Sequence, residues 1–409
     1  MRSVAILLLG SAMLTVAGCG GHTSNNGSNS GSNSGSIPTS GANVQPIVVN
    51  SGPLGNYADG VFTSVTICVP GTSNCQIISG VLVDTGSYGL RLLSSAVSLS
   101  LPQQTNVTGT PVAECAEFSD GVTWGPVKTA DIKLASEQAS AVPLQIIGDP
   151  NFSSVPSICS SKHGGPMDDL NSLDANGILG VGPFRQDCGG ACTLPLAAGN
   201  PGFYYLCPSS TCTQTQQPVS QQVQNPVWLF PQDNTGVIVA LPTVPPGGAP
   251  SVNGSMIFGI DTQSNNALGA AKVFTLNSSG NFTTVYPASG GKSYSSSFID
   301  SGSNGIFFLD STTTAIPVCG SNASGFYCPS STQNLSATQQ GANGTSNTVN
   351  FSVANAMTLF NSNNFAFNDL GGPNANTFDW GLPFFFGRNV FNAIESQPTS
   401  AGPGPFWAY

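Results

Sequence analysis

The sequence predicts an all-β protein of two similar lobes with a cleft between them, and three observations carry that expectation. Only 7% of the 409 residues are charged, while Gly and Pro number 49 and 30; a helical protein would be richer in Glu, Lys and Arg. Short apolar runs are punctuated by Gly, Pro, Asn and Asp, the pattern of strands joined by turns. One such run with its turn, Val81-Leu82-Val83-Asp84-Thr85-Gly86-Ser87-Tyr88-Gly89-Leu90, returns as Phe298-Ile299-Asp300-Ser301-Gly302-Ser303-Asn304-Gly305-Ile306. A lone Asp-Thr-Gly is an ordinary strand-to-turn junction. Two aligned copies imply two half-molecules that each present one carboxylate.

The N-terminus reads as an address. Arg2 precedes an apolar run, Val4 to Ala17, that is too short to span a membrane. It ends Val16-Ala17-Gly18-Cys19, which resembles the lipobox of bacterial lipoproteins and so implies cleavage before Cys19 with lipid on its sulfur. Residues 1–19 are expected to be a lipoprotein-type signal peptide, and 20–42 a flexible Ser/Asn/Gly tether. The chain is thus expected to be exported and held in the bacterial cell envelope, at the outer membrane, through that lipid alone. Plain secretion is the other reading.

The lobes are expected near 43–225 and 226–409. In the first, Val61 to Val69 and Gln76 to Val83 read as strands around a Pro70–Asn74 turn. Val112 to Phe118 and Val122 to Leu134 form a hairpin signal around Ser119-Asp120-Gly121. Gly177-Ile178-Leu179-Gly180 reads as a buried strand. Residues 183–225 carry four cysteines and read as a pinned excursion. In the second lobe, Val273 to Val285 suggests a hairpin turning at Asn277–Gly280, and the Asn-rich run Thr332–Asn350 a loop or weak hairpin. Short helices are expected at Ser94–Ser98, Asp310–Ile316 and Phe386–Ile394.

With Cys19 set aside, ten of the eleven cysteines remain. An even number in an exported chain reads as disulfides. Short-range pairs are expected for Cys68 with Cys75, Cys115 with Cys159 and Cys319 with Cys328. Cys188, Cys192, Cys207 and Cys212 leave three connectivities open. His22 and His163 are the only histidines, and no paired CxxC spacing appears, so no metal is expected, nor any organic cofactor. A net charge of −10 with nine basic side chains argues against nucleic acid.

The repeated Asp phrase suits one chemistry. Two carboxyl groups ~3 Å apart cannot both ionise, so they share a proton. The ionised member can take a proton from an attacking water while the protonated member hydrogen-bonds the carbonyl oxygen. Gly86 and Gly302 would let substrate approach. Thr85 and Ser301 would bond across the pseudo-twofold axis, and Ser87 and Ser303 would orient the outer carboxylate oxygens.

This constellation resembles the pepsin-like aspartic peptidases, with landmarks in family order over residues 55–395. The resemblance implies catalysis by Asp84 and Asp300 and a monomer that binds an extended peptide as an added strand. It also implies a flap over the cleft, made here by the hairpin at Phe118, Asp120 and Gly121, with Trp124 lining it. Two positions depart from the family: Phe118 stands at the flap Tyr and Arg91 at its Trp partner. Trp380 to Arg388 resembles the last family phrase, with Pro383 at its Gly and Phe384 at its Asp. The alternative function is a weakly active or inactive binding protein on the same fold. The chain also resembles an uncharacterised bacterial family of exported proteins.

Overall fold

The computed structural model describes residues 37–409 except His163 and Asn322. The expected signal peptide, Cys19, most of the expected tether, His22 and His163 therefore lie outside the described residues. Strands dominate, and the helices are single turns such as Ser157–Ser160 and Ser311–Thr314. The protein is all-β.

The Asp-bearing turns are built alike in the two halves. In the first, Cys75–Asp84 runs parallel to Gly177–Val181, with Leu82 opposite Ile178 and Asp84 opposite Gly180. Gly177–Val181 then pairs antiparallel with Tyr88–Leu93, the strand that leaves the turn. In the second, Lys292–Ile299 runs parallel to Asn374–Trp380, with Phe298 opposite Asp379 and Ile299 opposite Trp380. Asn374–Trp380 pairs antiparallel with Ile306–Leu309 on its other edge. Each turn is therefore threaded by a third strand inserted between its two arms. That third strand is buried on both faces, which explains its unbroken apolar reading in Gly177–Val181.

A continuous sheet joins the halves. Val44–Asn50 pairs with Gly60–Cys68 on one edge and with Val252–Phe258 of the second half on the other. Gly236–Leu241 continues the sheet to Arg388–Ala393 and then Phe406–Ala408. A second, seven-stranded sheet belongs wholly to the second half. The largest apolar cluster runs through both halves, from Val81 and Val83 to Ile299, Phe308 and Trp380.

Two local expectations are corrected, and a third is settled in favour of its hairpin alternative. Phe386–Ile394 is not helical: Arg388–Ala393 is a strand paired along its length with Gly236–Leu241, so cross-strand pairing overrides local preference. Val273–Thr275 and Phe282–Tyr286 flank a real turn, closed by the Gly280 N–H donating to the Asn277 carbonyl at 3.0 Å. They do not pair with each other, because Val273–Thr275 joins Phe406–Ala408 and Phe282–Tyr286 joins Lys292–Ile299. The Asn-rich run is a regular hairpin in which Gln333–Gln340 and Ser346–Val353 pair without a break.

Ten cysteines form five disulfides: Cys68–Cys75, Cys115–Cys159, Cys188–Cys192, Cys207–Cys212 and Cys319–Cys328. The open question in the excursion is thus resolved into two local loops. Such bonds fit an oxidising, extracytoplasmic compartment. Among the described residues no helix is long and apolar enough to cross a membrane.

Candidate active site

Asp84 and Asp300 meet between the halves, both fully buried, with their carboxyl groups side by side over Gly302. The contact is set by backbone, not by long side chains. The Thr85 N–H donates to Ser301 Oγ at 3.1 Å, and the Ser301 N–H donates to Thr85 Oγ1 at 2.9 Å. Ser301 Oγ in turn donates to the Val83 carbonyl at 2.7 Å. Each half thus fixes the turn of the other.

Inner and outer carboxylate oxygens are then supplied in matching fashion. The Gly86 N–H donates to Asp84 Oδ1 at 2.8 Å, and the Gly302 N–H to Asp300 Oδ1 at 2.7 Å. Ser87 Oγ donates to Asp84 Oδ2, and Ser303 Oγ lies 2.9 Å from Asp300 Oδ2. The glycines are required by space: a Cβ on Gly302 would fall 2.7 Å from Asp84 Oδ1. Burial raises the pKa of both acids. For Asp300 the nearby charges of Asp84 and Asp379 add to the rise, and it stands well above the ordinary carboxylate range. A pair so placed holds one proton between its members at moderately acidic pH.

The structure adds a third carboxyl that the sequence reasoning missed. Asp379 is 2% exposed, and its Oδ2 lies 2.6 Å from Ser303 Oγ, the same hydroxyl that meets Asp300. Its Oδ1 is buried with no hydrogen-bond partner. Burial raises its pKa well above the usual range, with the charges of Asp84 and Asp120 adding to the effect. The available signal was an acid inside an otherwise apolar strand end, Phe378-Asp379-Trp380.

The last family phrase must also be re-registered. Gly180 packs on the backbone of Ser87 and Tyr88, and Gly381 packs on the carbonyls of Ser303 and Gly305. Gly381, not Pro383, is therefore the counterpart of Gly180. Pro383 and Phe384 belong to a 3-10 turn, Leu382–Phe384, beyond the threaded strand.

The hairpin forms as expected, Val112–Glu117 with Val122–Leu134, and the Phe118 N–H closes its tip on the Gly121 carbonyl at 2.8 Å. Asp120 sits in that tip. The hairpin is anchored on its far side: the Cys115–Cys159 disulfide ties its first strand, and the Met167 N–H donates to the Val122 carbonyl at 2.7 Å. Trp124 does not line the cleft. It points to the hairpin's other face, stacks edge-on against Tyr205, and donates its indole N–H to the Phe152 carbonyl. Alternation along the strand puts Trp124 and Phe118 on opposite sides.

The altered flap pair still touches. The Arg91 guanidinium lies over the Phe118 ring at 5.8 Å, so the two departing positions meet in a cation–π contact. Arg91 is buried and paired with Glu114 at 2.6 Å and Asp187 at 3.4 Å, while Tyr204 donates to Asp187. This makes Arg91 a structural support under the hairpin. Tyr57, in the same apolar cluster as Phe118, carries a buried hydroxyl with no hydrogen-bond partner. Burial first, then the charges of Asp120, Asp174, Asp84 and Asp300, push its phenol far up. Nothing in the local sequence marks it. Among the described residues no cluster of His, Cys, Asp and Glu is arranged to hold a metal ion.

Comparison with known proteins adds the family. The model described as "Protein of unknown function (DUF3443)" matches residues 39–409, so the chain belongs to that family. No curated protein matches it. Among solved structures it is similar to the aspartic proteinase from Irpex lacteus, at 15% identity and a TM-score of 0.47, over 89% of this chain and 96% of that one.

Proposed function

We propose that this member of the family hydrolyses peptide bonds, with Asp84 and Asp300 activating a water molecule. The observation that carries the reading is the paired turn: two buried carboxyl groups in contact, each held by its own Gly N–H and Ser hydroxyl. With one proton between them, the ionised member takes a proton from water as it attacks the carbonyl. The protonated member donates to the carbonyl oxygen as negative charge develops there. The proton on the attacking water ends on the first carboxylate, ready to pass to the leaving amine. Burying two acids costs stability, offset in part by the hydrogen bonds that each receives.

The substrate is an extended peptide lying under the Val112–Leu134 hairpin, hydrogen-bonded through its backbone as an added strand. The protein acts as a monomer outside the cytoplasm, with lipid at Cys19 as its membrane contact. Neither metal nor organic cofactor enters this scheme. The test is binding of a statine-type inhibitor, whose tetrahedral hydroxyl replaces the attacking water. Binding by wild type that is lost in Asp84→Asn and Asp300→Asn supports the reading; equal binding by all three contradicts it.

A second reading is a binding protein on the same fold. It is favoured by the hairpin, whose Phe118 is buried and offers no hydroxyl, and whose first strand is tied down by Cys115–Cys159. A binder tolerates Asp84→Asn without loss of its ligand.

A further inference from the structure

The two halves differ at one matched position beside the carboxyl pair. Leu82, two residues before Asp84, lies opposite Ile178; Phe298, two residues before Asp300, lies opposite Asp379. Behind Ser87 the threaded strand thus presents an apolar residue, and behind Ser303 an acid. Both are buried, Ile178 at 0% and Asp379 at 2% exposure.

The contacts of Ser303 then fix a proton count. Its Oγ lies 2.9 Å from Asp300 Oδ2 and 2.6 Å from Asp379 Oδ2. A serine hydroxyl has one hydrogen and can donate to only one of them. Were both acids ionised, one short oxygen–oxygen contact would have no hydrogen in it and would set lone pair against negative charge. A carboxyl proton must fill the other contact. Asp300 has a backbone donor, the Gly302 N–H, to support its charge. Asp379 has none: its Oδ1 is unpartnered, and no Lys or Arg among the described residues pairs with it. The acids around it, Asp300, Asp84 and Asp120, all oppose its ionisation.

We propose that Asp379 is a third carboxyl of the site, held protonated, whose O–H donates to Ser303 Oγ and so commits the Ser303 hydroxyl to Asp300. The site then holds three carboxyl groups and two protons, one shared by Asp84 and Asp300 and one on Asp379. Asp379 is a positioning residue: when it loses its proton, Ser303 turns to it and Asp300 loses a donor while gaining a like charge. Ser87, backed by Ile178, has no such switch. The catalytic part of this inference rests on the peptidase reading; the proton count does not.

The first test is independent of activity. Full-length protein labelled with aspartate 13C at Cγ is titrated by NMR as wild type and Asp379→Asn, with thermal melts to confirm folding. The expected result is a protonated carboxyl resonance at pH 7 that is missing from Asp379→Asn. A missing resonance that is instead ionised at pH 7 overturns the proposal and makes Asp379 a free anion for a basic substrate group. The second test is the pH profile of cleavage. Asn keeps an N–H for Ser303 but cannot ionise, so Asp379→Asn should extend activity to higher pH. Asp379→Leu removes the acid that competes for the Ser303 hydroxyl, as Ile178 stands behind Ser87, and should extend activity to higher pH in the same way. Profiles unshifted in both variants overturn the positioning role. If wild type cleaves nothing, the peptidase reading fails and the NMR result alone decides the proton count.

Discussion

Gly86 lies directly against the carboxyl group of Asp300: a Cβ on Gly86 would sit 2.6 Å from Asp300 Cγ. The residue after each Asp therefore forms part of the seat of the other Asp. Gly86→Ala should displace Asp300 and cost about 100-fold in kcat, the usual effect of an ångström-scale misplacement. It should also lower stability by about 1–3 kcal/mol through overpacking. Steady-state cleavage and denaturant melts check both; an Ala variant with wild-type activity contradicts the described contact.

Stability should fall as the solution is made less acidic. Burial pushes Asp168 up to about 6 and raises Asp59, Asp187, Asp300 and Asp379 well above the usual carboxylate range. Each keeps its proton in the folded chain after the unfolded chain has released it. Their stabilisation is full below about pH 4 and is lost as pH rises through the folded-state values. Asp169 and Asp310, lowered by backbone N–H donors, act oppositely and weaken the fold below about pH 4. Melts across pH should peak near about pH 4–5 and drop by about 4 °C or more by pH 7.5. A peak at neutral pH contradicts these assignments.

Much of this was legible in the sequence, and the exceptions share a cause. The Asp phrases, the hairpin at Phe118 and the Cys68–Cys75 and Cys319–Cys328 bonds are local signals, written in residues close together along the chain. The helix expected over Phe386–Ile394 failed because Arg388–Ala393 answers to a partner strand, Gly236–Leu241, about 150 residues away. Asp379 carried a local signal, an acid in an apolar strand end, but its role was hidden for the same reason. Its role depends on Ser303, 76 positions earlier, and on the threaded register that brings them together.

The buried ion pairs beneath the hairpin make a sharper target than the hairpin tip. Arg91→Leu leaves Glu114 and Asp187 buried without their cation. Loss of one partner of such a pair costs about 3–5 kcal/mol. Chemical denaturation of Arg91→Leu should show a loss of that size at neutral pH. A smaller loss at acid pH is expected, because Asp187 is readily neutralised there. A loss equal at both pH values would mean the charges do not matter.

The Cys115–Cys159 bond closes a loop across 44 positions and anchors the hairpin's first strand. Replacing both cysteines by Ser should cost about 3–4 kcal/mol on chain-entropy grounds. Amide exchange at Val112–Glu117 should then quicken more than in Gly177–Val181, which lies away from the bond. Uniform protection across the two strands would contradict the anchoring role.

The central claim is tested most directly by cleavage of a mixed, unstructured peptide pool from about pH 3 to 7, the range in which a carboxyl pair titrates. Wild type, Asp84→Asn and Asp300→Asn are compared side by side after melts show that all three are folded. The account predicts cleavage by wild type alone, strongest on the acid side and blocked by a statine-type inhibitor. Folded, disulfide-bonded wild type that leaves every peptide intact across that range, or an Asp84→Asn variant that cleaves as well as wild type, would contradict it.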